Sequence, residues 1–92
     1  MNERARGSAW LKKFQLENPD ALVCRIPDSP VCRKPFDAFT LLDGVFVAIE
    51  FKLVGEELLS HQLDALRRVK ANGGVAKVIY FGPDGKAEEV EL

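Results

Sequence analysis

Two carboxylates and one ammonium interrupt apolar sequence near the middle of the chain. Glu50 and Lys52 are separated by one residue in the stretch DGVFVAIEFK, and Asp37 precedes a second apolar run, AFTLL. Acids in an apolar setting are unfavourable unless a positive charge compensates them. Lys52 is one candidate for that charge, and a divalent cation held by Asp37 and Glu50 is the other. Since carboxylate oxygens suit Mg²⁺ or Mn²⁺, the second arrangement would serve metal-dependent hydrolysis.

A β-hairpin is the element that would bring these three residues together. Asp43-Gly44 is typical of a tight turn, and counting outward from it places Asp37 opposite Glu50. Opposed residues on antiparallel strands share a face, with Cβ atoms about 4.5–5.5 Å apart. Lys52 falls on the same face by alternation. A longer, three-residue loop would shift this pairing by one, and the pattern alone leaves a cation site and a salt-bridge cluster equally open.

Alternation along the two hairpin strands also predicts which side chains share a face. One face carries the three charged residues, followed by Phe39, Leu41, Phe46 and Ala48. The other face carries Phe36, Ala38, Val45, Val47, Ile49 and Phe51. Because both faces are largely apolar, we expect the charged trio to be at least partly shielded from water.

The remaining patterns predict a mixed sheet flanked by helices. A first helix, capped by Asn2 and ended by ENPD, carries an apolar stripe at Ala5, Ala9, Trp10 and Phe14. The strands are ALVCRI, FDAFTLL, VFVAIEFK, VAKVIYF and a weaker edge strand AEEVEL, and a second helix, HQLDALRRVKAN, comes after a cap at Ser60. The order is α-β-β-β-α-β-β in a single α/β domain, residues 1–92. The strand–helix–strand crossover makes the third and fourth strands parallel.

Composition excludes some classes of protein. The net charge of −1 does not indicate a nucleic-acid binder, although residues 1–83 hold twelve of the thirteen bases and ten of the fourteen acids. No apolar run approaches the roughly 18 residues of a membrane span, and the N-terminus lacks the apolar core of a signal peptide. Cys24 and Cys32 lack the spacing of a zinc site, so we expect reduced thiols and a cytoplasmic protein.

The hairpin motif and the elements after it resemble a known group of nucleases. Asp37, then Glu50-Phe51-Lys52, then a helix and an apolar strand, are similar to the PD-(D/E)XK nuclease superfamily. The stretches KPFDAF, GVFVAIEFK, SHQLDALRRV and GGVAKVIYF most resemble bacterial RecU-type Holliday junction resolvases, and the small VRR-NUC domains are similar. The resemblance covers about residues 25–81. It implies a restriction-endonuclease-like fold and a Mg²⁺- or Mn²⁺-dependent endonuclease acting on DNA.

The resemblance also assigns roles to residues. Asp37, Glu50, Lys52 and Gln62 would be catalytic, with Lys52 orienting water or phosphate and Gln62 near the phosphate. Asp37 and Glu50 would bind the metal, together with the carbonyl of Phe51 and an acid from the first helix. We choose Glu3 for that acid, with Glu17 as the alternative. Apart from the resemblance, charge and position make Arg33, Lys34, His61 and Arg67 the residues expected to contact nucleic acid; His61 is alternatively a surface residue, and Arg67 a basic residue that suits the end of its helix.

Two departures from the family pattern keep a second interpretation open. The aspartate comes after Phe36 rather than after a proline, and no segment matches the stalk that enters a junction. Branched DNA and a homodimer are expectations about substrate and assembly, and the missing stalk counts against junction specificity. The alternative is a non-catalytic module on the same fold that binds nucleic acid or protein.

Overall fold

The computed structural model describes residues 2–92, so Met1 of the predicted domain lies outside it. The elements are α1 (Glu3–Glu17), β1 (Leu22–Arg25), β2 (Ala38–Leu42), β3 (Val45–Leu53), α2 (Ser60–Ala71), β4 (Val75–Phe81) and β5 (Ala87–Glu91). The strands form one sheet in the order β1-β2-β3-β4-β5, in which only β3 and β4 run parallel. The predicted element order and parallel crossover are confirmed. Within residues 2–92, neither helix has the length and apolar character needed to cross a membrane.

The predicted turn between β2 and β3 is present. Asp43 and Gly44 have φ angles of 51° and 77°, the left-handed values that a two-residue hairpin turn requires. The resulting register pairs Leu42 with Val45 and Ala38 with Ile49, as the count from the turn predicts.

The regular pairing of the hairpin stops at Ala38, one residue short of Asp37. The Asp37 N–H donates to the carbonyl of Ile49, at 3.0 Å, although Ile49 already pairs with Ala38. Two residues of one strand therefore face one residue of the other, which is the arrangement of a β-bulge. The prediction that Asp37 lies directly opposite Glu50 is wrong in register. The extra residue also reverses the alternation before it, so Phe36 packs with Ala48 rather than with Ala38 as predicted.

The core consists of two apolar clusters, one on each face of the sheet. Under α1 it comprises Leu11, Ala38, Ile49, Phe51, Ile79 and Phe81. Under α2 it comprises Phe36, Ala48, Leu66, Ala76 and Val78. Since alternate residues of β3 enter opposite clusters, this strand is buried on both faces, and its charged residues lie at the end of a buried strand.

The buried face of α1 differs from the predicted stripe. Gly7 and Leu11 are buried and Trp10 packs against the core, whereas Ala5 and Ala9 are exposed. The helix meets the sheet at Gly7, where a Cβ would lie 2.7 Å from Phe51 Cδ2 and 2.8 Å from Arg25 Nη1. The close approach of helix and strand therefore depends on the absence of a side chain at this position.

Gly7→Ala is expected to destabilise the protein although alanine is the better helix former. A methyl group at 2.7 Å from an aromatic ring that is fully buried must displace the ring or the helix. Such overpacking costs about 1–3 kcal/mol, more than the roughly 1 kcal/mol of helix propensity gained. Urea unfolding measures the difference, with Lys12→Ala on the exposed side of α1 as control. An increase in stability for Gly7→Ala would contradict the packing.

Candidate active site

Most of the predicted site residues converge where β3, the start of β2 and the two helices meet. A pocket of about 480 Å³ lies there, and a second of about 420 Å³ adjoins it beneath the loop between β1 and β2. The first is lined by Glu3, Arg4, Ser8, Arg25, Ile26, Pro27, Asp28, Lys34, Asp37, Glu50, Lys52 and Gln62. Four residues line both pockets: Asp28, Lys34, Glu50 and Gln62. The two pockets are therefore halves of one cleft.

The charged trio is buried, as predicted. Asp37, Glu50 and Lys52 are 7%, 4% and 8% exposed. Asp37 is fixed by its own backbone and side chain: its carbonyl accepts from the Ile26 N–H at 2.8 Å, and Oδ2 accepts from the Phe51 N–H at 2.9 Å. The side chain thus replaces a backbone acceptor for β3 at the bulge. This bond holds the carboxylate beside the end of β3, where Glu50 and Lys52 lie.

Lys34 is the residue that compensates Asp37. Its Nζ lies 2.9 Å from Asp37 Oδ1 and 2.8 Å from Asp28 Oδ1, so one ammonium joins two carboxylates. The sequence pattern predicts a nucleic-acid contact for Lys34 and offers only Lys52 or a cation as the compensating charge. The signal that would have found the pair is the spacing of Lys34 and Asp37, three residues apart across Pro35.

The two buried acids carry different pKa shifts. Burial raises the pKa of Glu50 to about 8, and the hydrogen bond and charge of Asp37 add to that rise, with Lys52 and Lys34 opposing it. Burial also acts to raise the pKa of Asp37, but hydrogen bonds from Lys34 and the Phe51 amide outweigh it, and the pKa is lowered. Without a bound cation, these opposite shifts favour an ionised Asp37 and a protonated Glu50 near neutral pH.

Gln62 connects the start of α2 to Glu50. Its Oε1 accepts from the Leu59 N–H at 3.0 Å, and its Nε2 donates to Glu50 Oε1 at 3.1 Å. The N-cap of α2 is Leu59 and not Ser60 as predicted. The backbone amide of Leu59 is satisfied by the side chain of Gln62, three residues later, and no serine hydroxyl takes part. The amide group predicted to meet phosphate is thus engaged with a site carboxyl.

Glu3, and not Glu17, is the acid of α1 that reaches the cleft. Burial raises the pKa of Glu3, followed by the charge and hydrogen bond of Glu56 and by the charge of Asp37. Glu17 instead lines a groove between α1 and β5. Glu56, which was missed from sequence, lies just after β3 and accepts from the Leu53 N–H at 2.7 Å. No motif marks it, because only the return of the chain after β3 brings it to Glu3.

The predicted nucleic-acid contacts divide into two groups. Arg33 and His61 line the half of the cleft beneath the loop, next to Glu50. Arg67 is exposed further along α2 and does not line either half. Trp10 is half-buried and packs edge-on against Phe51, with ring centroids 6.0 Å apart, as its place in the predicted apolar stripe indicates. Basic groups therefore line both halves of the cleft, with Arg33 and His61 on the loop side and Lys52 beside the buried acids.

The donor set of the cleft fits a divalent cation, although it is not a complete cage. Within residues 2–92, no three His, Cys, Asp or Glu side chains are grouped as ready ligands. The pKa of Glu50 is nevertheless raised to about 8, chiefly by burial and also by Asp37, so Lys52 and Lys34 do not offset the cost of ionising this acid. Mg²⁺ commonly takes one or two carboxylates and completes its shell with water and phosphate. Asp37 and Glu50 meet that requirement, and Phe51 and Glu3 as further ligands remain predictions.

Comparison with solved structures places this arrangement in a known fold. The structure is similar to that of a Holliday junction resolvase. One match is to Archaeoglobus fulgidus Hjc, a resolvase from an archaeal hyperthermophile, with a TM-score of 0.62 and 20% sequence identity. The alignment covers 90% of this chain and 73% of that chain. No family model and no curated protein matches the sequence.

The likeness to Hjc confirms the predicted fold class, a mixed five-stranded sheet with two helices in the order α-β-β-β-α-β-β. At 20% identity a shared fold does not carry activity with it. The matched structure is an archaeal resolvase, so the likeness to RecU-type proteins remains a prediction from sequence.

Proposed function

We propose that the protein is a Mg²⁺- or Mn²⁺-dependent endonuclease that hydrolyses DNA phosphodiester bonds. The observation that carries the proposal is the buried pair Asp37 and Glu50, held side by side next to Lys52 at the floor of an open cleft. Burying two acids together is unfavourable, and a site for a divalent cation explains why they are placed so. The resolvase fold makes a nuclease the activity that suits this site.

The chain's own residues suit hydrolysis of a phosphodiester. A divalent cation bound here would activate a water molecule and would place a positive charge beside the phosphate oxygens. Asp37 and Glu50 would hold that charge in place, and Gln62 fixes the orientation of Glu50. Lys52, 8% exposed beside them, would orient the attacking water or the phosphate. Arg33 and His61 would contact the DNA backbone at the loop.

Metal-dependent cleavage of DNA tests the proposal. Purified protein should cut at least one of branched, flapped or linear DNA in Mg²⁺ or Mn²⁺, and a chelator should stop the reaction. The same panel identifies the preferred DNA shape. Cleavage that persists with chelator would exclude the cation mechanism. Tight DNA binding without cleavage would indicate an inactive DNA-binding derivative, and a stable protein partner without DNA affinity would favour the interaction module.

Glu3→Gln and Glu17→Gln separate the two acids considered for α1. Both substitutions remove one carboxylate from the same helix, but only Glu3 lies in the cleft near Asp37. Glu3→Gln is expected to lower the cleavage rate by about tenfold, which is the usual effect of removing a side chain that supports the ligands of a metal site. Glu17→Gln should leave the rate unchanged. Initial rates at saturating Mg²⁺ measure both, and equal rates for Glu3→Gln and wild type would remove Glu3 from the site.

A homodimer and a branched substrate belong to the same proposal. Cutting two symmetric strands of a junction calls for two active sites related by a two-fold axis. Exposed apolar residues on the sheet, such as Leu22, Leu41 and Val90, offer surface for association. Light scattering at the concentration of the cleavage assay measures the assembly, and a monomer there would contradict the dimer.

A further inference from the structure

Lys34 lies where a cation would meet Asp37. Asp37 Oδ2 is engaged with the Phe51 amide inside the sheet, so Oδ1 is the oxygen that faces the cleft. The Lys34 ammonium lies 2.9 Å from that oxygen, and the side chain is only 24% exposed. An ammonium at this distance replaces both the charge and part of the coordination that a metal ion would supply.

The Lys34 ammonium also forms an ion pair with a second carboxylate, that of Asp28. Asp28 Oδ1 lies 2.8 Å from Nζ, and the Asp28 side chain is 74% exposed on the loop side. Lys34 and Asp28 both belong to the irregular segment between β1 and β2, whereas Asp37 is fixed to β3. A lysine side chain can therefore leave Asp37 by rotation and keep its bond to Asp28, without moving the sheet.

We infer that Lys34 is a resident counter-ion that a divalent cation must displace from Asp37. The inference rests on the proposed function, because it concerns the same site. Lys34 stabilises the metal-free cleft, where Asp37 would otherwise be a buried unpaired acid. It also competes directly with the cation, so the protein binds metal more weakly than its two carboxylates alone would allow. Displacement frees the ammonium to meet a DNA phosphate, the contact that the sequence predicts for Lys34.

Titration of Mn²⁺ into the metal-free full-length chain, without DNA, tests the inference. Lys34→Gln should bind Mn²⁺ about tenfold more tightly than wild type, since one nearby positive charge is removed. Lys34→Arg keeps the charge and should bind no more tightly than wild type. Arg4→Gln is the control, because Arg4 lines the same pocket and, within residues 2–92, forms no ion pair with Asp37. It should change the affinity by less than about threefold.

Thermal unfolding of the same variants supplies a readout independent of binding. Lys34→Gln should melt at a lower temperature than wild type in chelator, and Mn²⁺ should raise its melting temperature by more than it raises that of wild type. Equal Mn²⁺ affinity for Lys34→Gln and wild type, or an effect no larger than that of Arg4→Gln, would overturn the inference alone. Absence of Mn²⁺ binding in every variant would overturn the proposed function and the inference together.

Discussion

Glu50→Gln is expected to remove DNA cleavage, by about a thousandfold or more, while leaving the protein folded. The substitution deletes the second carboxylate of the proposed cation site, and loss of a catalytic metal removes the activated water along with the charge. Glutamine has nearly the shape of a protonated Glu50, the form that a pKa of about 8 favours at neutral pH when no cation is bound. Its side-chain oxygen can still accept from Gln62, so the start of α2 keeps its contact.

A loss of cleavage in Glu50→Gln can be interpreted only if the stability of the variant is measured as well. Circular dichroism and urea unfolding should show Glu50→Gln to be folded and at least as stable as wild type near neutral pH, and cleavage of the preferred DNA should be lost. Glu88→Gln, on the exposed edge strand β5, removes the same charge far from the cleft and should change neither. Retained cleavage in Glu50→Gln would show that the assigned site is wrong. Lost cleavage with a lost fold would leave Asp37→Asn as the variant that decides.

The metal-free protein is expected to lose stability as the pH rises from about 4.5 to about 8. The pKa of Glu50 is raised from its ordinary 4.5 to about 8, so in this window the folded protein holds a proton that the unfolded chain has released. Stability falls with pH wherever the folded state binds more protons. Each pKa unit corresponds to about 1.4 kcal/mol, which gives a loss of a few kcal/mol across the window.

Two other acids of the cleft also contribute to the pH profile. Asp37 has a lowered pKa, so its contribution is present above its ordinary value of 3.8 and is lost only as the pH falls below it. Glu3 has a raised pKa and adds to the same decline as Glu50. The difference between wild type and Glu50→Gln therefore reports Glu50 together with its coupling to Asp37.

Urea unfolding in chelator at several pH values measures this profile. Wild type should lose stability between about pH 5 and pH 8, and Glu50→Gln should show a much flatter curve and be the more stable protein at the alkaline end. Mg²⁺ binds the ionised acids, so it should stabilise wild type more as the pH rises and release protons on binding. Parallel curves for wild type and Glu50→Gln would mean that Glu50 ionises normally and that the acid pair is not coupled.

Local sequence determined most of the fold. The Asp43-Gly44 turn fixed the register of β2 and β3 because left-handed backbone is accessible at these two residues, and the pairing from Leu42 to Ala38 results from it. The alternation of β3 and the continuous apolar run of β4 placed these strands at the centre of the sheet. The burial of Glu50 and Lys52 could be predicted for the same reason.

Only the tertiary structure decided how the site is neutralised and fixed. At the bulge the Asp37 side chain, and not a backbone carbonyl, accepts from the Phe51 amide, and strand periodicity does not encode that bond. Lys34 reaches Asp37, Gln62 reaches Glu50 and Glu56 reaches Glu3 because loops and helix ends fold back onto β3. Residue types and spacing along a strand report which groups share a face, whereas contacts across loops depend on the path of the whole chain.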